Sequence, residues 1–154
     1  MPAHLPARRT LAATASTAAL VLLLTGCEQP TPGVTLVSGG TSVRTESTTF
    51  CRAGQSVEQL SCVVHAARGA VLRVQQGALV GIDVDKDLSE HGWYLYDADA
   101  KARSEVQDTH YFAYTPDFSN RPAKGLINLE IRSTERVADD ARVTGVWRFQ
   151  LVQR

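Results

Sequence analysis

Hydrophobic and polar residues alternate along most of this chain in short runs separated by turn residues. The clearest run lies near the C-terminus, where Trp147, Phe149 and Leu151 alternate with Arg148 and Gln150. Half-buried antiparallel strands produce this period of two, whereas an amphipathic helix would place its apolar residues three and four positions apart. The pattern therefore predicts strands that each turn one face towards a core.

The alternation predicts a hairpin first and then a series of single strands. The hairpin joins a strand at Val34 to Ser38 to a Thr-rich partner at Thr41 to Cys51, through a tight turn at Gly39 and Gly40. Roughly seven or eight short strands in one chain indicate an all-β protein, with two antiparallel sheets packed as an immunoglobulin-like β-sandwich. The later strands are expected at residues 70–75, 79–85, 93–97, 125–132 and 143–152.

Two cysteines depart from the pattern of a true immunoglobulin domain. Cys51 and Cys62 are too close in sequence to bridge two sheets, and Trp93 follows both of them instead of lying between them. We expect the pair to form a disulfide that pins a loop between an early strand and the next one. A metal site is the weaker interpretation, because no second Cys or His pair at ligand spacing accompanies them.

The N-terminal segment has the features of an export signal. Residues 1–9 contain Arg8 and Arg9 and no acidic residue, and residues 10–24 are uncharged. The apolar stretch is shorter than the roughly 20 residues that a permanent transmembrane helix needs. A cleaved signal peptide is therefore predicted, and the arginine pair leaves twin-arginine export as an alternative to the general secretory route.

The signal ends in Leu24-Thr25-Gly26-Cys27, which resembles a bacterial lipobox. In such signals the cysteine thiol receives a diacylglyceryl group, and cleavage leaves that cysteine as the first residue. Two or more acyl chains hold a protein stably on a bilayer. We therefore predict a lipid anchor on Cys27 at the extracytoplasmic face of the cell membrane; the alternative is a soluble secreted protein cut near Gly26.

These assignments divide the chain into three parts and change its charge. Residues 1–26 form the signal peptide, residues 27–33 the lipidated cysteine and a short proline-containing linker, and residues 34–154 the β-sandwich domain. The whole chain has 16 basic and 16 acidic residues, and cleavage removes Arg8 and Arg9 but no acidic residue. A weakly acidic mature domain gives no electrostatic reason to expect nucleic acid as a partner.

The segment from Asp83 to Glu90 has the acidic spacing of a calcium-binding loop. An EF-hand is excluded, because its sixth position is Leu88 where the turn needs Gly and its twelfth is Tyr94 where the metal needs Glu. The favoured interpretation is structural: Asp87 and Glu90 form a capping box for one helical turn before the next strand. A weak site for a divalent cation is the alternative.

The sequence contains no catalytic motif and indicates no cofactor. His65, His91 and His110 lack ligand spacing, and the chain has no H-E-x-x-H, G-x-S-x-G or S-x-x-K motif. A non-enzymatic protein is therefore predicted. Because a Ser-His-Asp triad can be assembled from distant positions, a cell-envelope hydrolase is an alternative.

Tyrosines supply the candidate binding surface. Tyr94 and Tyr96 alternate in one predicted strand, and Tyr111 and Tyr114 lie in the segment Thr109 to Phe118, which is rich in Phe and Tyr. A tyrosine presents a rigid apolar ring with a polar tip, so the four residues could form an aromatic surface for a glycan or an envelope protein. The alternative is that half of these rings fill the core, as strict alternation would require.

The order of these features resembles a family of small actinobacterial lipoproteins. The residues that carry the resemblance are Cys51, Cys62, the run "VLRVQQGALVGIDVD", a Trp-centred strand that ends in an Asp-Ala-Asp turn, and the closing "VTGVWRFQLV". The resemblance covers roughly Gly33 to Val152 and implies a secreted β-sandwich of unassigned function. The family has no known functional residues that could be assigned to positions of this chain. We expect a non-catalytic binding or assembly module; a hydrolase and a small-ligand carrier are the alternatives.

Overall fold

The fold is known from a computed structural model. It describes residues 30–51, 55–59, 62–64, 69–119 and 121–154. The predicted signal peptide, Cys27 and His65 lie outside the described residues. One compact unit runs from Thr31 to Arg154. In the described part of the chain, no helix has both the length and the apolar character that crossing a bilayer requires.

The described residues form eleven strands, one short α-helix and a single 3-10 turn at Val57–Gln59. In chain order these elements are β1 (Gly33–Ser38), β2 (Thr41–Glu46), β3 (Thr49–Phe50), β4 (Val63–Val64), β5 (Ala70–Val74), β6 (Val80–Val84), α1 (Lys86–His91), β7 (Trp93–Asp97), β8 (Ala102–Arg103), β9 (Tyr111–Tyr114), β10 (Leu126–Thr134) and β11 (Val143–Gln153).

The strands form two sheets, which confirms the predicted all-β sandwich. Sheet I has the order β2-β1-β6-β9, and sheet II has the order β4-β3-β11-β10-β7-β8. β5 also pairs with β11 and is the parallel neighbour in an otherwise antiparallel arrangement. In one sheet of an immunoglobulin domain, the second strand lies beside the first and the first is at the edge. Sheet I differs from that order, because β1 lies between β2 and β6 and β2 is at the edge.

The core lies where the inward faces of the two sheets meet, and its residues follow the predicted alternation. Every second residue of β6, β10 and the second half of β11 is buried, which confirms the period-two interpretation. The largest side chains that are fully shielded from water are Trp93, Trp147, Phe149, Leu36, Leu72, Ile82, Leu88, Ile127, Leu129, Ile131 and Leu151.

The predicted hairpin is present, but its second strand is shorter than expected. Gly39 and Gly40 form the turn with φ angles of 55° and 77°, which suit a type I′ turn. β2 ends at Glu46, whereas one strand was expected to continue to Cys51. The chain leaves sheet I there because both the N–H and the hydroxyl of Thr48 donate to the carbonyl of Val146 in sheet II, at 2.7 and 2.9 Å.

The disulfide between Cys51 and Cys62 is present, as the cysteine count predicted. Cys51 follows β3 and Cys62 precedes β4, and these two strands pair antiparallel with Phe50 opposite Val63. The bridge therefore closes the loop of a hairpin within sheet II and does not join the two sheets.

The sandwich begins earlier than the predicted boundary at residue 34. The indole N–H of Trp147 donates to the carbonyl of Pro32 at 2.8 Å, and Gly33 is already the first residue of β1. Both residues were assigned to the linker. The correction arises because the ring of Trp147 is buried and its N–H needs an acceptor, which the incoming chain supplies.

Candidate functional site

The four tyrosines of the predicted aromatic surface do not lie together. Tyr94 and Tyr96 share the face of β7 that is turned away from the core. Tyr111 is 59% exposed on the outer face of sheet I, and Tyr114 pairs with the buried Val80 and packs against the core. The prediction of one surface was wrong because β7 and β9 belong to different sheets and because Tyr111 and Tyr114 point to opposite sides of their strand.

Arginines cover the two tyrosine rings on sheet II. The guanidinium carbon of Arg132 lies 3.8 Å from the ring centroid of Tyr96, and that of Arg103 lies 5.5 Å from the centroid of Tyr94. Tyr94 is therefore only 5% exposed although it faces outward. We use the term arginine–tyrosine face for this part of sheet II, which consists of Tyr94, Tyr96, Arg103, Glu130, Arg132 and Arg148.

Glu130 is the acidic centre of the arginine–tyrosine face. Its carboxylate accepts hydrogen bonds from Arg132 at 2.6 and 2.9 Å and from Arg148 at 3.2 Å. Burial lowers the pKa of Arg132, but hydrogen bonds with Glu130 and Tyr94 outweigh it and raise the pKa above its ordinary value. The face thus presents fixed, permanently charged guanidinium groups whose rotamers are restricted by stacking and ion pairing.

A serine and a histidine meet at α1, but without the geometry of a catalytic pair. Ser89 Oγ lies 3.3 Å from His110 Nδ1 and 3.4 Å from its Nε2, so neither ring nitrogen is favoured. The hydroxyl donates its single proton to the carbonyl of Lys86 at 2.8 Å, and Ser89 is only 5% exposed. A general base must accept the proton of the nucleophile, so His110 does not activate Ser89 here.

The acidic segment before β7 forms the predicted helical turn, α1, but its N-cap differs from the prediction. The N-cap is Asp85, whose side chain makes no capping hydrogen bond. Glu90 pairs with Lys86 at 3.3 Å, so the capping box predicted for Asp87 and Glu90 is not formed. The carboxylate of Asp85 instead accepts from Arg44 and from the N–H of Gly33.

No group of three or more His, Cys, Asp or Glu side chains is placed to hold a metal ion within the described ranges. Asp83 lies on the exposed face of β6, whereas Asp85 is engaged by Arg44. Asp83 and Asp85 of the calcium-like segment therefore have different surroundings.

An ion pair that sequence reasoning missed lies near the start of β10. Nη1 of Arg121 donates to Asp97 Oδ2 at 2.5 Å, and the two side chains are only 12% and 13% exposed. The buried hydroxyl of Tyr114 lies close enough to feel both charges and has no hydrogen-bond partner in the described part of the chain. Burial raises the pKa of Tyr114 far above its ordinary value.

Arg121 also lines an open pocket of about 640 Å³, which we name the distal pocket. Its walls come from the segment that precedes β10 and from the last residues of β11. The cavity expected of a small-ligand carrier would lie between the sheets, where Trp93, Trp147 and Phe149 are packed instead. The residues that line the distal pocket are Phe118, Ser119, Arg121, Lys124, Gly125, Val152, Gln153 and Arg154.

Comparison of the chain with protein-family models, with curated proteins and with solved structures gives no significant match.

Proposed function

We propose that this protein is a lipid-anchored β-sandwich that binds an envelope component at the outer face of a bacterial cell membrane and catalyses no reaction. The observation that carries the proposal is the disulfide between Cys51 and Cys62. Such bonds persist in oxidising compartments outside the cytoplasm. The bridge also leaves Cys27 as the odd cysteine, directly after the apolar part of an export signal.

The start of the sandwich supports a domain held close to the bilayer. Because Pro32 and Gly33 are bonded to the domain, only a few residues separate Cys27 from it. A proline-containing segment extends by about 3.1 Å per residue, so a lipid on Cys27 would keep the domain within roughly 10 to 15 Å of its anchor. A partner at the membrane surface suits this reach.

The arginine–tyrosine face is the surface we propose for that partner. Arg and Tyr are the residue types that dominate binding energy at interfaces, and here stacking already orders their side chains. A glycan would need bare ring faces on which to stack, whereas Arg103 and Arg132 cover the rings of Tyr94 and Tyr96. These contacts favour an envelope protein with acidic side chains over a glycan.

The lipid anchor is tested by membrane fractionation and labelling with a radioactive or clickable fatty acid. Cys27→Ser should release the protein from the membrane fraction and abolish the label. The matched control is the double variant Cys51→Ala and Cys62→Ala, which keeps Cys27 and should keep the label. Retention of the Cys27→Ser protein in membranes with unchanged labelling would rule out the anchor.

The binding surface is tested by photo-crosslinking in cells. A photoreactive amino acid at Arg148, an exposed residue of the arginine–tyrosine face, should give an adduct with an envelope protein. The matched position is Tyr111, which is exposed on the outer face of sheet I and should give none. Identical adducts from both positions, or none from Arg148, would contradict the proposed surface.

A further inference from the structure

The distal pocket lies at the end of the sandwich that is remote from the residue where the chain enters it. β1 begins at Gly33 and ends at Ser38, which pairs with Thr41 across the hairpin. Arg154, which lines the pocket, donates from its guanidinium to Thr41 Oγ1 at 3.4 Å and from its backbone N–H to Val74 O at 2.9 Å. The pocket is therefore near the Ser38 end of β1.

Lys124 and Arg154 bring two cationic side chains to the distal pocket. Most arginines in the described part of the chain pair with a carboxylate, but neither of these residues has an Asp or Glu side chain within 4.0 Å among the described residues. Of the acids close to the pocket, Asp97 is engaged by Arg121, and Asp117 accepts the N–H and hydroxyl of Ser119. Neither side chain is held in an ion pair with a described Asp or Glu, so both can turn towards a ligand.

Arg121 supplies a fixed hydrogen-bond donor to the same pocket. Its Nε donates to the carbonyl of Asp117 at 2.7 Å and its Nη1 to Asp97, while Nη2 has no hydrogen-bond partner among the residues described. Asp97 balances the charge of Arg121, so this guanidinium contributes a donor and little net charge. Because the side chain is already held, a hydrogen bond from Nη2 to a ligand costs little conformational entropy.

An apolar wall accompanies these polar groups. Phe118 is almost fully buried and belongs to the hydrophobic core, and Val152 is the neighbouring aliphatic residue from β11. Small-molecule sites commonly combine apolar walls with a few polar groups that fix the orientation of the ligand. The arrangement suits a molecule that has one anionic end and one apolar end.

We propose that the distal pocket binds a small organic anion whose carboxylate or phosphate group pairs with Lys124 and Arg154. The apolar body of the ligand contacts Phe118 and Val152, and Arg121 donates to an oxygen of the anion. Guanidinium groups match the geometry of both carboxylate and phosphate, and such charge-assisted hydrogen bonds are stronger than neutral ones. This site is separate from the arginine–tyrosine face and does not depend on the lipid anchor.

Calorimetric titration of the full chain in a neutral detergent tests the proposal. The probes are phenyl phosphate, benzoate and benzyl alcohol, which share a ring and differ in charge. At least one anion should bind saturably and about tenfold more tightly than the neutral alcohol. Failure of both anions to bind, or equal affinity for benzyl alcohol, would overturn the proposal.

A pair of matched double variants assigns the binding to this pocket. Lys124→Gln with Arg154→Gln should weaken binding of the anion by about tenfold or more. Lys86→Gln with Arg136→Gln removes the same charge from exposed residues near α1, outside the pocket, and should leave the affinity within about twofold of the unmodified chain. Equal losses in both variants would indicate a general charge effect and overturn the site.

The source of the anion is distinguished with vesicles. Flotation with phosphatidylglycerol vesicles that depends on Lys124 and Arg154 would assign the anion to a lipid headgroup. Binding of phenyl phosphate or benzoate without such flotation would assign it to a free metabolite. Both assignments require that phenyl phosphate or benzoate binds in the titration, and flotation without that binding overturns the pocket as an anion site.

Discussion

Arg44 binds both carboxylate oxygens of Asp85 through one guanidinium nitrogen, at 2.8 and 3.0 Å, although the two residues are 41 positions apart. Asp85 also accepts the backbone N–H of Gly33 at 2.7 Å. Burial raises the pKa of Asp85, but the hydrogen bonds from Gly33 and Arg44 outweigh it and hold the pKa below its ordinary value. The contact fastens the first residue of β1 to the end of β6.

Replacement of Asp85 by Asn should lower the free energy of unfolding by about 1 kcal/mol near pH 7, because the charge-assisted bonds to Arg44 and Gly33 are lost. The value is small since both side chains of the ion pair are about half exposed. The folded-state pKa of Asp85 is depressed, so its contribution is complete above about pH 4 and disappears as the pH falls through that pKa. Urea unfolding across this pH range measures the difference.

Asp83→Asn is the matched control, because Asp83 is exposed and lies two positions earlier on the outer face of β6. This substitution should change the free energy of unfolding by less than about 0.5 kcal/mol, both at neutral pH and at low pH. If Asp85→Asn costs the same at low and neutral pH, the stabilisation does not come from the ionised carboxylate.

The sequence predicted the strands well because a period-two pattern is a local property. It failed where a distant partner decides the outcome. The break between Glu46 and Thr49 depends on Thr48 bonding to Val146, which is 98 positions away. Similarly, the sequence predicted a capping box for Asp87 and Glu90, whereas the N-cap is Asp85, whose carboxylate is bound by the distant Arg44.

The functional candidates were less predictable than the strands. Alternation correctly placed Tyr94 and Tyr96 on the same outward face, but it carried no information about which strands share a sheet. Arg121 and Asp97 form an ion pair across 24 positions, and the arginine lies in an irregular segment. No periodicity connects such residues, so the distal pocket had no signal in the sequence.

Removal of the disulfide should destabilise the domain. Cys51 and Cys62 are 11 positions apart, and the chain-entropy model gives about 2 to 3 kcal/mol for closing a loop of this length. The free energy of unfolding of the double variant Cys51→Ala and Cys62→Ala, measured with urea, should be lower by that amount. Dithiothreitol should reproduce the loss in the unmodified chain and leave the variant unchanged. Alkylation of both thiols without reduction would contradict the presence of the bond.

Ser89 should not react as a serine-hydrolase nucleophile. Its hydroxyl proton is donated to Lys86 O, and the residue is almost completely shielded from water. A fluorophosphonate probe should therefore leave Ser89 unlabelled in the folded protein, as mass spectrometry of the digested chain would show. Labelling that disappears in both Ser89→Ala and His110→Ala would instead support the hydrolase alternative.

Gly145 should tolerate no side chain because it lies against the fully buried ring of Trp147. A Cβ at this position would stand 2.7 Å from ring carbons of Trp147 and 2.7 Å from the hydroxyl oxygen of Ser133. Trp147 is fully buried, and its N–H is bonded to Pro32, so the ring cannot move aside without breaking that hydrogen bond. Overpacking of this kind costs about 1 to 3 kcal/mol, which we expect for Gly145→Ala.

The control for Gly145→Ala is Val146→Ala, the next residue of β11, which points away from the core and is partly exposed. The free energy of unfolding of the Val146→Ala protein should fall by less than about 1 kcal/mol, since the substitution opens no buried cavity. Urea unfolding followed by circular dichroism compares the two variants. A Gly145→Ala protein as stable as the unmodified chain would show that the Trp147 ring can shift, and with it the attachment of Pro32 to the sandwich.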